Sequence, residues 1–123
     1  MRKKDLPIVY SCSGCSSAAQ TANQVAIKMD RADIAEMSCI AGVGGDVKPL
    51  VRTATSGREI IAIDGCPLSC CKHSLARHEV EPTHHFDLSK FNVPKRKGVD
   101  PDPTLVEDAY ERIVEFSNRK AQV

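Results

Sequence analysis

The sequence predicts a small three-layer α/β fold, with a mainly parallel four-stranded sheet between flanking helices. Three observations carry this expectation. Apolar runs of strand length recur along the chain. Helical apolar periodicity separates them. Each of the first three runs ends close to a cysteine. Alternation in the order βαβαβαβα builds βαβ units and hence parallel strands. With 123 residues, 41% of them hydrophobic, the chain suffices for one domain over 1–123 and not for two cores.

The first run, Pro7-Ile8-Val9-Tyr10, leads to Cys12. A helix then starts at Ser17, where Ser17 and Gln20 form a capping box. Ala18, Ala22, Val25, Ala26 and Met29 fall on one helical face, and Lys28 and Arg31 suit its C-terminal end. Ile34-Ala35-Glu36-Met37 is the second strand and leads to Cys39. The glycine-rich stretch Ala41-Gly42-Val43-Gly44-Gly45 follows as a turn. A helix capped by Asp46 runs to about Ala54, with Pro49 in its first turn, and Ser56-Gly57 stops it. Ile60-Ile61-Ala62-Ile63 is the third strand and leads to Cys66. The third helix runs from about Leu68 to His78, with Leu68, Cys71 and Leu75 as its apolar face. A short strand near His84 to Leu88 precedes a polar, basic loop, Lys90 to Asp100. The last helix spans about 104–119. Asp102-Pro103-Thr104 opens it, Thr104 and Glu107 repeat the capping box, and Leu105, Ala109, Ile113 and Phe116 form its stripe, widened by Val106 and Tyr110. Arg119 and Lys120 close it.

Composition excludes several function classes. The net charge is +1, from 17 basic and 16 acidic side chains, without the basic excess of a nucleic-acid binder. Aromatics are 4% with no Trp, too few for a base-stacking platform. No apolar run reaches the roughly 18 residues of a membrane span. Arg2, Lys3 and Lys4 resemble a basic leader start, but Leu6 to Tyr10 is too short for its apolar core. The expected compartment is the cytoplasm, where six cysteines stay reduced and read as ligands or reactive groups.

Cysteine spacing is the strongest signal. Cys12-Ser13-Gly14-Cys15 is a C-x-x-C pair at a strand-to-helix turn, and Cys66 and Cys70 form a C-x₃-C pair in the equivalent place. Cys39 ends the strand between them. Parallel strands bring these thiols to one edge, where ligands of open α/β sheets bind. Zinc accepts four thiolates in tetrahedral geometry, so five candidates exceed its need by one. The two chelating pairs, Cys12, Cys15, Cys66 and Cys70, are the first choice, and Cys39 is the main contender. Cys15, Cys70 and Cys71 lie at helix starts, where thiol pKa falls. Cys71 shares the apolar face of Leu68 and Leu75 and reads as core.

Cys12-Ser13-Gly14-Cys15-Ser16, then Cys39 through Gly45, then Ile63-Asp64-Gly65-Cys66-Pro67 with Cys70, resemble the DGC-domain family. That family takes its name from the Asp-Gly-Cys tripeptide, here Asp64-Gly65-Cys66. The likeness runs from about Ile8 to Lys97 and includes Asp87, Leu88 and a following Lys90 or Lys95. It implies zinc binding through cysteines and leaves the biochemical role undefined. The doubled Cys70-Cys71 departs from the one cysteine expected there, which leaves two candidates for one ligand.

Other candidates accompany the thiols. Backbone N–H groups of Gly42 to Gly45 are placed to meet a small anion or thiol, or to donate to the cysteine sulfurs; a flexible turn is the plainer reading. Asp64 reads as a turn residue or a general base. Among the histidines, His73 is nearest the cluster in sequence, and His78, His84 and His85 lie farther on. Lys72 and Arg77 are candidates to offset thiolate charge.

The function expected is a cysteine-rich zinc protein holding one Zn²⁺ at the C-terminal edge of the sheet, in a structural or sensory and regulatory role. A thiol-disulfide or persulfide-handling oxidoreductase using Cys12/Cys15 is the alternative. An iron–sulfur protein is a further one. The partner expected is the metal ion, without nucleic acid or membrane.

Overall fold

A computed structural model describes residues 5–121, with side chains to residue 118. The expectations for Arg2 to Lys4 and for the side chains of Arg119 and Lys120 lie outside the described residues. In chain order the elements are β1 (Ile8–Ser11), α1 (Ser17–Arg31), β2 (Glu36–Met37), α2 (Ile40–Gly44), α3 (Lys48–Ala54), β3 (Ile60–Asp64), α4 (Cys70–Ala76), β4 (His84–Asp87), a 3₁₀ turn (Leu88–Phe91) and α5 (Pro103–Ala121).

The four strands form one sheet in the order β2-β1-β3-β4. Every pairing is parallel, so the expected sheet is present and wholly parallel. β1 and β3 pair over four residues, from Ile8 opposite Ile60 to Ser11 opposite Ile63. β2 meets β1 only at Glu36 and Met37. The strand order reverses between β1 and β3, which makes their carboxyl ends the switch point of the sheet.

Alternation along the strands fills two cores, because successive side chains point to opposite faces. Val9, Ile61, Ile63 and Phe86 pack with Ala18, Ala22, Val25, Ala26 and Met29 of α1 and Val106, Ala109 and Ile113 of α5. Ile8, Tyr10, Ile60 and Ala62 pack on the other face with Val43, Ala54, Cys71 and Leu75. These are the three layers: α1 and α5, the sheet, then α2 to α4. Among the described residues, no helix is long and apolar enough to cross a membrane.

Several local expectations are corrected. The cap of α1 is Ser16, whose Oγ accepts from the Ala19 N–H at 3.1 Å. Ser17 is instead the first helical residue, and its Oγ donates to the Pro94 carbonyl at 3.0 Å. The glycine-rich turn is the helix α2, because Val43, Gly45 and Val47 N–H groups bond to the Cys39, Ala41 and Gly42 carbonyls. The cap of α3 is Val47 rather than Asp46. Asp46 takes a positive φ of 63° and pairs with Arg77. Leu68 lies before α4 and is 64% exposed, so the buried face of that helix is Cys71 and Leu75 alone. Part of the expected 90–100 loop belongs to the 3₁₀ turn. Asp102 starts α5 by accepting from the Thr104 N–H at 2.8 Å. Phe116 is 41% exposed, and its ring packs T-shaped with that of Phe86, the centroids 5.3 Å apart.

Candidate functional site

The functional region is built where β1 and β3 end. Cys12 is the first residue past β1 and still extends the ladder, its N–H donating to the Ile63 carbonyl at 3.0 Å. Beyond β3 the chain turns through Gly65 and Cys66 into α4. A Cβ on Gly65 would lie 2.5 Å from the Ala18 carbonyl carbon and 2.7 Å from the Ala19 nitrogen. Only glycine lets the start of α1 pack this closely on the turn. That contact sets the Cys12 turn beside the Cys66 turn, and Gly65 N–H donates to Cys12 Sγ at 3.1 Å.

A cavity of about 360 Å³ opens there. Cys12, Cys15, Cys66, Cys70 and Cys71 line it, with Leu68 and Ile40 as apolar wall. All six cysteines are free thiols; Cys12 and Cys66 are half-buried, Cys15 and Cys70 are exposed, and Cys71 is buried. Four of the five sequence candidates therefore share one cavity. Cys39 is not among its lining residues. β2 stops at Met37 and Cys39 caps α2, so Ile40 and Ala41 reach the cavity in its place. The expectation that Cys71 belongs to the core holds.

Electrostatics differ among the thiols. Burial pushes the Cys12 thiol up to about 11, the Gly65 N–H opposes this, and the charges of Asp64, Cys66 and Cys70 add to the rise. Burial pushes Cys71 up further, again with Asp64 contributing. Lys95 places Nζ 3.4 Å from Cys66 Sγ, and Lys97 also lines the cavity. A strap holds both lysines in place. Ser17 N–H donates to the Arg96 carbonyl at 2.8 Å, Arg96 N–H donates to Ser17 Oγ at 3.1 Å, and Ser16 pairs antiparallel with Lys97.

The charge-offsetting residues are thus Lys95 and Lys97 rather than Lys72 and Arg77. Arg77 donates to the Gly44 carbonyl and pairs with Asp46. His73 is exposed and outside the cavity lining. Asp64 is an anchor rather than a simple turn residue. Its carboxylate, 1% exposed, accepts from Cys71 N–H at 2.8 Å and Lys72 N–H at 3.2 Å. It also accepts from His85 Nε2 at 2.8 Å. Sequence reasoning missed this pairing and the Cys66–Lys95 contact; the one available hint was Lys95 within the family likeness. Among the described residues, no three or more His, Cys, Asp or Glu side chains form a ready-made ion site.

A thiol-lined cavity at the switch point of a parallel sheet defines a small α/β protein with a cysteine-based site. The chain belongs to the DGC-domain family, whose model matches residues 8–113. It is similar to the anaerobic and virulence modulator AnvM of Pseudomonas aeruginosa, with 64% identity over 95 residues, covering 77% of this chain and 72% of that protein. No solved structure matches it.

Proposed function

We propose that this protein is a regulatory, thiol-based zinc binder of the cytoplasm, with Cys12, Cys15, Cys66 and Cys70 as its ligand set. The observation that carries the reading is the opening of these four thiols onto one cavity at the sheet edge. Thiolate donors suit zinc, and four of them give a closed shell that cross-links two turns without a reactive position. Gly65 N–H on Cys12 and the Lys95 ammonium beside Cys66 offset thiolate charge. Binding draws the exposed Cys15 and Cys70 toward Cys12 and Cys66. Cys15, Cys66 and Cys70 belong to neither core, and Cys12 packs against both without being a member, which favours a sensory role over a structural one. The name of the similar protein, a modulator, supports regulation over catalysis. Six free thiols suit a reducing compartment.

The thiol-disulfide alternative needs Cys12 or Cys15 as attacking thiolate. The raised Cys12 thiol opposes thiolate formation in both readings, and in the zinc reading the metal's own charge offsets it. Elemental analysis of untagged protein purified without chelator tests the zinc reading. The expected result is about one zinc per chain, lost in Cys12→Ser, Cys66→Ser and Cys70→Ser and kept in Cys71→Ser. Content well below one that added zinc does not restore overturns it, and a brown protein containing iron points to a cluster instead.

A further inference from the structure

We propose a second site, distinct from the thiol cavity, that binds the phosphate group of a small molecule beside His85. A cavity of about 480 Å³ lies past the carboxyl end of β4, lined by Lys72, His85, Asp87, Ser89, Lys90 and Ser69 among others. Its construction begins with Asp64. Both carboxylate oxygens accept from backbone N–H groups of Cys71 and Lys72, so Asp64 is an acceptor toward His85 and Nε2–H is the donor. This part-buried bond fixes the imidazole plane, and the ring's Nδ1 has no protein partner among the described residues.

Two cations line the same cavity. Neither the Lys72 nor the Lys90 ammonium has a carboxylate partner among the described residues. Asp87 is the one carboxylate of the lining, and its Oδ1 already accepts from the Ser89 N–H at 2.9 Å and the Ser89 hydroxyl at 2.8 Å. Two unpaired ammonium groups and hydroxyl groups around one opening suit a tetrahedral oxyanion, and the free Nδ1 of the oriented imidazole can accept from the P–OH of its monoanionic form. The volume exceeds that of a bare oxyanion, which fits a phosphate monoester carrying a small organic body.

The site is independent of the zinc reading, and its test keeps the two apart. Inorganic phosphate and glycerol 3-phosphate are titrated separately into the protein as purified, and again after chelation, against chloride at matched ionic strength. Calorimetry and melting temperature are the readouts. Saturable binding is expected in both preparations, and its survival after chelation shows that it does not depend on metal. Tighter binding of the ester identifies a phosphorylated small molecule as the ligand, whereas equal or tighter binding of inorganic phosphate identifies the free ion. Lys72→Gln/Lys90→Gln, two exposed changes that leave the cores intact, weakens binding by roughly tenfold or more, the worth of lost charge-assisted contacts. His85→Gln also weakens it, and Lys97→Gln leaves it unchanged. Binding absent beyond the chloride baseline overturns the proposal. So does binding that is unchanged in the double lysine variant, or that is lost in Lys97→Gln alone.

Discussion

Gly65→Ala is the most exacting probe of how the two thiol turns are held together. The added Cβ would meet the Ala18 carbonyl carbon at 2.5 Å, its oxygen at 2.6 Å and the Ala19 nitrogen at 2.7 Å. All three atoms are backbone, so no flexible side chain can turn away. The start of α1 cannot retreat freely either. Ser16 caps it, Ser17 clasps the 94–97 strap, and Ala18 is fully buried. Overpacking of this kind costs about 1–3 kcal/mol, and a rigid obstacle places Gly65→Ala at about 3. At roughly 3–5 °C per kcal/mol for a chain of this size, the melting temperature falls by roughly 10 °C. Alkylation of Cys12 should also slow, because displacing the Gly65 N–H removes a hydrogen bond that favours its thiolate. Gly14→Ala, in the neighbouring turn, is the control. Its Cβ would sit 3.5 Å from Ala19 Cβ, an ordinary contact, so this change should not destabilise. Without a clash, Gly→Ala stabilises by about 0.4–1 kcal/mol through the unfolded chain. A Gly65→Ala protein that melts at or above the parent temperature refutes the close-approach argument.

Other expectations follow from the same geometry. Asp64→Ala strands the Cys71 and Lys72 N–H groups and the His85 ring, and should lower unfolding free energy in urea by about 3 kcal/mol or more. In metal-free protein the folded state keeps the Cys12 proton up to about 11 while the unfolded chain loses it near 9.0. The folded state therefore holds the extra proton in that window, and stability should be full below pH 9 and decline from about pH 9 to 11; Cys12→Ser should make that decline shallower in denaturation midpoints, leaving the share of the more strongly raised Cys71. Lys95→Ala removes the ammonium beside Cys66 and, as an exposed contact, should weaken zinc binding up to about fivefold in a chelator competition.

Much of the fold was legible because its signals are local. Ile60 to Ile63 is a four-residue apolar run, and Ala18, Ala22, Val25, Ala26 and Met29 repeat at helical spacing. Neither reading needs knowledge of the rest of the chain. The placing of Cys12 and Cys66 past parallel strands follows from that order. Capping was harder, since Ser16 and Ser17 both satisfy the local pattern, and the choice is made by Pro94 and Arg96, almost 80 residues away. Leu68 matched the helical face of Cys71 and Leu75 by count, but Ser69 takes a positive φ of 52° and breaks the helix between them. The glycines at 42, 44 and 45 suggested a flexible turn. Gly42 instead allows close approach of Leu50, whose Cδ1 would lie 1.9 Å from an added Cβ. Asp64 with His85 and Cys66 with Lys95 are contacts between distant segments with no periodic trace. Cys39 shows the reverse limit, because a strand end places a residue near the edge but does not say which way the next helix turns.

The strand order has a consequence for synthesis on the ribosome. β1 emerges first, yet its short neighbour β2 offers it only Glu36 and Met37. β3, which pairs with it over four residues, ends at Asp64, more than fifty residues after β1 begins. Until that segment leaves the exit tunnel, Ile8 to Ser11 is an apolar strand with an unsatisfied edge on a nascent chain. Translational pausing before β3 emerges therefore prolongs the interval in which holdase chaperones can engage this polypeptide.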